Sequence, residues 1–361
     1  MKGVPQFFQK ESRFLGVDIG ASSIKAVELR KEKERPILET YGELSLAKYG
    51  EGDVGRALRL VDKKLTEALT DIINEAQIKS KKVAVSIPLK DSFLTIMELP
   101  DMATSDLKEA VPYEARKYIP IPIGEVVLDW WVLPPKSDEL AKTSIGSKDR
   151  KFKSVILAAV PKDVIAKYKS IFESAGLEIV AFEIEAFAFA VGALKQELGT
   201  VLLMDFGASA TKMVISDGGA VRAAHILDHG AQELTLSISQ SLSIDFERAE
   251  ILKRDSGALH RPETEGIASI LEPMIEFVAS EGERFLLNWK RKGGKEISKV
   301  LIGGGGAHLK GIEDLFIKKY GVEVMVVNPF SKVIYPAFLE PALKEVGATF
   351  VNAVGLALKE F

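Results

Sequence analysis

Residues 17–28 read VDIGASSIKAVE, and residues 204–215 read MDFGASATKMVI. Six of the twelve aligned positions are identical, and the two stretches stand 187 residues apart, about half of the chain. Each stretch follows an apolar run and leads into another, which predicts a strand, a tight turn and a second strand. One such motif is weak evidence, but two matched copies half a chain apart predict a duplicated α/β fold.

The residue types in both stretches suit a turn that binds an anion. Glycines at positions 20 and 207 can adopt positive φ and let successive backbone N–H groups approach one anion. Serine hydroxyls add donors of similar reach, and Lys25 can neutralise phosphate charge. Two such turns that face each other would clamp a triphosphate from both sides. The residues predicted to bind phosphate are Gly20, Ala21, Ser22, Ser23, Lys25, Gly207, Ala208 and Ser209.

Carboxylates occupy matching positions in the two copies. Asp18 and Asp205 stand at the ends of the first strands and face the turns. Carboxylates at such places can hold a hydrated Mg²⁺, so both are predicted metal ligands. Two ordinary β-hairpins with glycine turns are the alternative, but that alternative predicts no matched Asp, Ser and Lys around both turns.

A glycine run follows in the second half of the chain. Residues 299–311 read KVLIGGGGAHLKG, which predicts a strand, a bare backbone turn and a helix. Gly304, Gly305 and Gly306 leave room for a flat adenine or a ribose on the backbone, and the helix N-terminus favours nearby negative charge. This run is therefore the predicted adenosine loop.

One helical pair is compatible with two roles. Glu250 and Lys253 are three residues apart and share a helix face. They can reach ribose hydroxyls and the base edge, or they can form a surface ion pair. Spacing alone does not separate these two interpretations.

Composition excludes several classes of protein. The 361 residues include 47% hydrophobic and 27% charged residues, as in a folded globular chain, and are long enough for two cores. The net charge of −3 supplies no basic field for nucleic acid, and the lack of cysteine excludes disulfide scaffolds, thiolate zinc sites and iron–sulfur clusters. No apolar run is long enough to span a bilayer, and residues 1–13 do not read as a signal peptide, so we expect a cytoplasmic protein.

Short β-branched runs alternate with helical periodicity, which is typical of an α/β protein. One helix is predicted from about 267 to 289, and the polar stretch 136–153 predicts a long exposed loop. Another helix is predicted from an apolar face formed by Leu58, Val61, Leu65, Leu69 and Ile72. Buried strands are predicted at 14–18, 83–87, 155–160, 201–205 and 300–302.

The order of these elements resembles the superfamily that contains actin, heat-shock chaperones and sugar kinases. Within it, the chain most resembles the PilM family of type IV pilus assembly proteins, which is itself similar to the division protein FtsA. The resemblance covers residues 14–361. It includes EAFAFAV at 185–191 as a connecting segment and VGATFVNAVG at 346–355 as a closing helix.

The resemblance implies a duplicated actin-like (ribonuclease H-like) α/β fold of two lobes, with an FtsA-like subdomain inserted in the first lobe. The implied domains are 1–91 with 178–200 for the first lobe, 92–177 for the inserted subdomain, 201–228 with 298–345 for the second lobe, 229–297 for a helical subdomain that caps the adenine, and 346–361 for a C-terminal helix that returns to the first lobe.

The resemblance also implies a function. It is that of an ATP- and Mg²⁺-binding scaffold of pilus assembly, whose lobes close on the nucleotide with slow or no hydrolysis. Hydrolysis would need a residue that orients the attacking water, and Asp205 and Glu185 are the candidates. An FtsA-like polymerising protein and a sugar kinase are the alternatives. Residues 356–361 do not resemble the amphipathic membrane helix of FtsA, and 92–177 shows no sugar-binding cluster.

Partners follow from the same resemblance. PilM binds a short cytoplasmic N-terminal peptide of the inner-membrane protein PilN near the inserted subdomain, so we expect a PilN-like partner and attachment to the inner-membrane pilus complex. Self-association stays open, and no nucleic acid partner is expected. Tyr113, Tyr118, Trp130 and Trp131 are either aromatic anchors for the peptide or the core of that subdomain.

Overall fold

The computed structural model describes residues 12–50, 52–134, 152–197 and 199–359. Most of the predicted exposed loop at 136–153 lies outside these ranges, and its last two residues already belong to a strand. The described strands are β1 (Arg13–Ile19), β2 (Ser23–Glu32), β3 (Arg35–Ser45), β4 (Lys82–Ile87), β5 (Phe93–Pro100), β6 (Val126–Val132), β7 (Phe152–Pro161), β8 (Glu178–Ile184), β9 (Val201–Phe206), β10 (Thr211–Asp217), β11 (Ala220–Leu227), β12 (Lys299–Gly303) and β13 (Glu323–Val326). The five predicted buried strands are confirmed as parts of β1, β4, β7, β9 and β12.

Helices alternate with these strands. The described helices are α1 (Asp62–Glu75), α2 (Thr104–Ala115), α3 (Lys162–Ser174), α4 (Glu185–Ala193), α5 (Ala231–Leu242), α6 (Phe246–Ser256), α7 (Glu265–Arg291), α8 (Ile312–Tyr320), α9 (Glu340–Val346) and α10 (Val351–Leu358). The predicted long helix is confirmed as α7, which carries Pro273 within it. Within the described ranges, none of the helices combines the length and apolar character that crossing a bilayer requires.

Two five-stranded sheets share one topology. The first has the order β3-β2-β1-β4-β8, and the second has the order β11-β10-β9-β12-β13. In each sheet, the first three strands along the chain are antiparallel and the remaining two run parallel to the first strand. The duplication predicted from the two motifs is therefore a duplication of whole sheets, with β1 and β9 at equivalent central positions.

Side chains of β9 alternate between two hydrophobic clusters. Leu202 and Met204 pack with residues of α7 and α8, whereas Val201 and Leu203 pack with residues of α4. Because both faces are covered, every residue of β9 is buried. A strand that is buried on both faces has a nearly continuous apolar sequence, and this pattern is why β9 could be predicted.

A smaller antiparallel sheet is inserted between β4 and α3. Its order is β5-β7-β6, and α2 packs against it through Leu107 and Val111. Trp130 packs against this core, and Trp131 packs edge-on against Phe187 of α4 at 4.8 Å between ring centroids. Tyr113 and Tyr118 are exposed. The two tryptophans are thus partly buried against apolar neighbours, whereas the two tyrosines have the exposure that an anchor for a partner requires.

The helix predicted from Leu58 begins later than the apolar pattern suggests. Helix α1 starts at Asp62, and Val61 before it is exposed. The Leu58 N–H donates to the Ala21 carbonyl at 2.8 Å, so this segment is held extended against the first glycine turn. A backbone hydrogen bond to a distant turn has no signature in local periodicity, and the predicted start was wrong for that reason.

Helices α4 and α10 cross between the two five-stranded sheets. Helix α4 follows β8 of the first sheet and packs on β9–β11 of the second, whereas α10 follows the second sheet and packs on β1 and β2 of the first. Glycines permit the close approach: a Cβ at Gly355 would lie 1.9 Å from the Ala188 carbonyl oxygen, and one at Gly192 would lie 2.2 Å from that of Val351. The crossing therefore fixes how the two sheets face each other.

Substitution of Gly355 by alanine tests this crossing. We expect Gly355→Ala to lower the free energy of unfolding by about 2 to 4 kcal/mol, because the new methyl group overlaps a backbone carbonyl that cannot move freely. The matched control is Gly266→Ala in α7, where an added Cβ meets nothing within 4 Å. Urea unfolding measures both variants. Equal stability of the two would contradict the proposed close approach.

Candidate functional site

Both glycine turns have the same internal geometry. In the hairpin register, Asp18 lies opposite Lys25 and Asp205 lies opposite Lys212. The Gly20 N–H donates to the Ser23 carbonyl at 3.0 Å, and the Gly207 N–H donates to the Ala210 carbonyl at 3.1 Å. In both copies the lysine ammonium lies close to the glycine, at 3.8 Å and 3.5 Å from the position of an added Cβ. The repeat in the sequence is thus a repeat of backbone and side-chain arrangement.

The expected reason for glycine in these turns was wrong in one respect. Positive φ occurs at nine glycines of the described chain, and neither Gly20 nor Gly207 is among them. Their requirement is space, because a Cβ would lie 3.1 Å from the Ser23 carbonyl oxygen in the first turn and 3.0 Å from that of Ala210 in the second. The bare backbone faces remain accessible to an approaching anion.

Lys212 connects the two halves of the site. Its ammonium lies 3.3 Å from the Asp205 carboxylate of its own hairpin and 3.3 Å from the Glu185 carboxylate at the start of α4. Burial alone would lower the pKa of Lys212, but the negative charges around it raise the pKa. Those charges are carried by Asp205, Glu185 and Asp18. Glu185 directly follows β8 of the first sheet, so its 3.3 Å contact with Lys212 joins the second turn to the first half of the chain.

Glu185 is buried at this junction. One carboxylate oxygen accepts a hydrogen bond from the Leu89 N–H at 2.7 Å, and the other faces Lys212. Burial raises the pKa of Glu185, although the Lys212 charge acts in the opposite direction. The two predicted catalytic candidates, Glu185 and Asp205, are therefore brought together on either side of one ammonium group.

Two polar neighbours of the aspartates were missed from the sequence. The Ser86 hydroxyl donates to the Asp18 carboxylate at 2.6 Å. The Asn352 side-chain amide donates to the Asp205 carboxylate at 3.5 Å, and its buried Oδ1 atom accepts no hydrogen bond from the residues that the structure describes. A lone amide within the otherwise apolar helix α10 was the signal that could have identified Asn352. The serine at the end of β4 carries no comparable signal.

Glu43 of β3 was also missed. Its carboxylate accepts a hydrogen bond from the Ser23 hydroxyl at 2.7 Å and lies 3.4 Å from the Lys25 ammonium. Lys25 also donates to Ser23 at 2.7 Å. Two predicted phosphate-binding groups of the first turn, the Ser23 hydroxyl and the Lys25 ammonium, are therefore bound to the Glu43 carboxylate. A phosphate would have to compete with this carboxylate for both groups.

The backbone carbonyls of both turns bind neighbouring segments. Those of Ala21 and Ser22 accept hydrogen bonds from the Leu58 and Leu46 N–H groups, at 2.8 Å and 2.9 Å. Those of Gly207 and Ala208 accept from residues 231 and 232 at the start of α5, at 2.9 Å and 3.0 Å. Ser209 completes the second turn at a half-buried position. The Gly20 and Gly207 N–H groups are used within the turns, whereas the N–H groups at 21, 22, 208 and 209 donate to no residue that the structure describes.

The glycine run lies directly beside Asp205. Gly304 has φ of +81°, and an added Cβ there would lie 2.5 Å from an Asp205 carboxylate oxygen. At Gly306 a Cβ would collide with the Phe206 ring at 2.5 Å. At Gly305 it would meet nothing within 4 Å. Gly304 and Gly306 are thus required by packing, whereas Gly305 has a free face on which a ligand can lie.

Glu250 and Lys253 do not form a surface pair. Both side chains are buried, and the Lys253 ammonium donates to the Glu250 carboxylate at 2.6 Å and to the Thr235 hydroxyl at 2.9 Å. Burial tends to raise the pKa of Glu250, but Lys253 and the hydrogen bonds around the carboxylate lower it. Arg254 also donates to this carboxylate at 2.7 Å. The interpretation as a surface ion pair is wrong, and the pair holds α5 and α6 together.

The acidic groups suit a cation that keeps its own water. Within the described ranges, no three His, Asp or Glu side chains are close enough to hold a metal ion by themselves. Asp18 and Asp205 hold matching positions at the ends of β1 and β9, and the buried Asn352 Oδ1 beside Asp205 is an acceptor to which no described residue donates. Mg²⁺ typically uses one or two carboxylates together with water and substrate phosphates, so these residues fit it.

Removal of the Lys212 charge should make stability depend more steeply on pH. In Lys212→Met the pKa of Glu185 rises further above its ordinary value of 4.5, because Asp205 then faces Glu185 without a cation between them. A carboxyl with a raised folded-state pKa stabilises the fold below its unfolded pKa, and that contribution is lost as the pH rises through the folded value. We expect the variant to be about 2 to 3 kcal/mol less stable than the parent chain near pH 8 and closer to it near pH 5.

Urea unfolding across this pH range measures the effect. The double variant Lys212→Met with Glu185→Gln is the control, since it removes the group that titrates and should recover a flatter pH dependence. Parallel pH profiles for the single variant and the parent chain would contradict the proposed coupling.

Comparison with known proteins agrees with this fold. The family model described as type IV pilus assembly protein PilM matches residues 16–361. The chain is similar to a solved structure of a PilM–PilN type IV pilus biogenesis complex, at 27% sequence identity and a TM-score of 0.79, over 96% of this chain and 98% of that chain.

More distant structures share the fold alone. The ethanolamine utilization protein EutJ from Carboxydothermus hydrogenoformans has 17% identity and a TM-score of 0.56, over 96% of this chain and 89% of that chain. MreB5 of Spiroplasma citri bound to ADP has 13% identity and a TM-score of 0.53, over 95% of this chain and 94% of that chain. The two-lobed actin-like ATPase fold is thereby confirmed, and a protein of this fold is known with a bound nucleotide.

Proposed function

Because the chain belongs to the PilM family of type IV pilus assembly proteins, we propose that it is a cytoplasmic, ATP-binding scaffold of the pilus assembly complex. The observation that carries the nucleotide site is the convergence of the two turns. The Ala21 carbonyl of the first turn accepts from the Leu58 N–H at 2.8 Å, and the preceding Ala57 N–H donates to the Gln232 side chain at 3.0 Å. The Gln232 N–H in turn donates to the Ala208 carbonyl of the second turn at 3.0 Å. This connection supports a single site to which both turns contribute, as a polyphosphate clamp requires.

The proposed contacts divide the nucleotide among the elements of the site. The free N–H groups of the two turns, at 21–22 and 208–209, bind the phosphates, together with Lys25 once it exchanges Glu43 for a phosphate oxygen. The free face of Gly305 carries the adenosine. Glu250 and Lys253 form the wall of the nucleotide site on the side of α6, and the hydrogen bond between them fixes their positions. This division agrees with an anion held by backbone N–H groups rather than by side chains alone.

The charge around the turns favours ATP as its magnesium complex. Asp18, Glu43, Glu185 and Asp205 outnumber Lys25 and Lys212, so a bare triphosphate would meet a net negative field. Asp18 and Asp205 would hold the ion, which neutralises phosphate charge when bound. We expect affinity for ATP to depend on the divalent ion for this reason.

Fast hydrolysis is not favoured by these contacts. A residue that orients the attacking water needs a free acceptor, but Glu185 is already bound by the Leu89 N–H and by Lys212. Asp205 accepts from Lys212 and Asn352 through Oδ2, and its Oδ1 lies against the backbone of Gly304. We therefore propose that ATP chiefly fixes the relative position of the two lobes and is hydrolysed slowly or not at all.

The inserted sheet and its surroundings are the proposed docking region for a PilN-like peptide. A cavity of about 180 Å³ lies between α1, α3 and the turn that leads into β5. Its wall includes the apolar residues Leu65, Val164 and Ile171 and two charged ones, Asp91 and Lys167. The division of the chain into domains, with 92–177 as the docking subdomain, remains a prediction.

Charge indicates which peptide suits this cavity. The Asp91 carboxylate has no ion pair or hydrogen bond to the part of the chain that the structure describes. A cytoplasmic segment next to a membrane span carries an excess of Lys and Arg. Lys167 on the same wall is paired with Asp62 at 3.3 Å, so Asp91 is the carboxylate left for a basic segment of this kind. Such a segment would also hold the scaffold at the inner membrane.

Substitution of Gly305 tests the adenosine face. We expect Gly305→Val to fold normally, since an added side chain has open space, and to bind ATP–Mg²⁺ at least about tenfold more weakly, equivalent to about 1.4 kcal/mol. The matched control is Gly124→Val, also in a short 3-10 turn and also open. Isothermal titration calorimetry with ATP–Mg²⁺ measures both. Unchanged affinity in Gly305→Val would remove this assignment.

Substitution of Asp91 tests the docking region. With a synthetic peptide of the N-terminal cytoplasmic segment of a PilN-like protein, we expect Asp91→Ala to weaken binding about tenfold at low salt, with a smaller effect at high salt. Asp106→Ala, an exposed carboxylate at the start of α2, is the control. Fluorescence anisotropy of the labelled peptide reports both affinities. Equal affinities for the two variants would place the peptide elsewhere.

A further inference from the structure

A short segment between β3 and α1 crosses from one half of the molecule to the other. Residues 53–60, termed here the bridging segment, are fixed to the first sheet at their C-terminal end. Leu58 and Leu60 pack against the core of that sheet, and the Leu58 N–H donates to the Ala21 carbonyl of the first glycine turn at 2.8 Å. The segment must therefore move together with the first turn.

The other end of the bridging segment contacts α5 and α6, which follow the second sheet. The Ala57 N–H donates to the side-chain carbonyl of Gln232 at 3.0 Å. The Arg56 guanidinium lies 5.7 Å from the centre of the Phe246 ring, within the range of a cation–π contact. Gly55 has φ of +90°, and an added Cβ would lie 3.1 Å from the Glu250 carboxylate. Three independent contacts thus join the halves across the cleft.

Gln232 occupies the central position among these contacts. Its backbone N–H donates to the Ala208 carbonyl of the second glycine turn at 3.0 Å, while its side chain accepts from Ala57. Ala57 is followed directly by Leu58, whose N–H is bonded to the first turn. A continuous path of hydrogen bonds therefore runs from Ala208 through Gln232 and the bridging segment to Ala21. It is a direct connection between the two turns that does not pass through any ligand.

We propose that Gln232 is a positioning residue that holds the two turns at the separation a bound polyphosphate needs, and that its bond to Ala57 must break for nucleotide to leave. This inference rests on the proposed nucleotide site and adds to it the element that controls release. The bond is only partly buried, so it can open without unfolding either sheet. Opening at Ala57 would separate Gly55 from Glu250 and uncover the cleft on the side of α6.

Dissociation of a fluorescent ATP analogue with Mg²⁺, followed by stopped flow, tests the proposal. Gln232→Met keeps the length of the side chain and removes the acceptor. We expect dissociation to be about 3- to 10-fold faster, the effect of one neutral hydrogen bond, and association to be faster by no more than this factor, because the same bond must open for nucleotide to enter. Gly55→Ala should also accelerate dissociation, because its methyl group presses on Glu250. The matched control is Gly219→Ala, which has φ of +74° and open space around an added Cβ, and should dissociate like the parent chain.

A second measurement needs no nucleotide. Hydrogen exchange of the Ala57 amide in the ligand-free chain should be faster in Gln232→Met than in the parent chain, by a similar factor. Wild-type dissociation rates in Gln232→Met, or equal acceleration by Gly219→Ala and Gly55→Ala, would overturn the proposal. If the parent chain bound no ATP analogue at all, the proposed nucleotide site would be wrong. Unchanged exchange of the Ala57 amide in Gln232→Met would separately refute the hydrogen bond between Ala57 and Gln232.

Discussion

The exchange of helices α4 and α10 between the two five-stranded sheets is the constraint on which the site depends. Each helix follows one sheet and packs on the other, and at Gly192 and Gly355 one helix backbone lies against the other with no room for a side chain. The same crossing brings Glu185 and Asn352 next to Asp205 and Lys212. A site that neither sheet could form alone therefore results from close packing between two helices.

Electrostatics then decides what such a site can accept. Lys212 is enclosed by carboxylates from both halves, and Lys25 is paired with Glu43, so neither lysine is a free cation in this arrangement. A phosphate must compete with these carboxylates for both ammonium groups. A divalent ion would weaken the repulsion between phosphate and carboxylates by neutralising the carboxylates. We therefore propose that a nucleotide binds here reversibly, as a structural ligand. Such binding is consistent with a scaffold whose shape depends on what lies between its lobes.

Much of the fold could be predicted because the decisive features are local. Matched turns at 20 and 207, buried strands such as β9 and the glycine run after β12 all follow from short-range patterns of residue type. The features that were missed depend on contacts between distant parts of the chain. Glu43 pairs with Lys25 across a hairpin, and Asn352 contacts Asp205 because of the helix crossing. The Leu58 N–H lies outside the predicted helix and donates to the first turn. No spacing in the sequence indicates such partners.

The most direct measurement is a crystal structure of the chain with Mg²⁺ and a non-hydrolysable ATP analogue. A shared site predicts one triphosphate between residues 20–23 and 207–209, with its phosphate oxygens bound by N–H groups from both turns and its adenosine along the backbone of the glycine run. An analogue held by only one turn, or bound outside the cleft with the turns facing solvent, would contradict it.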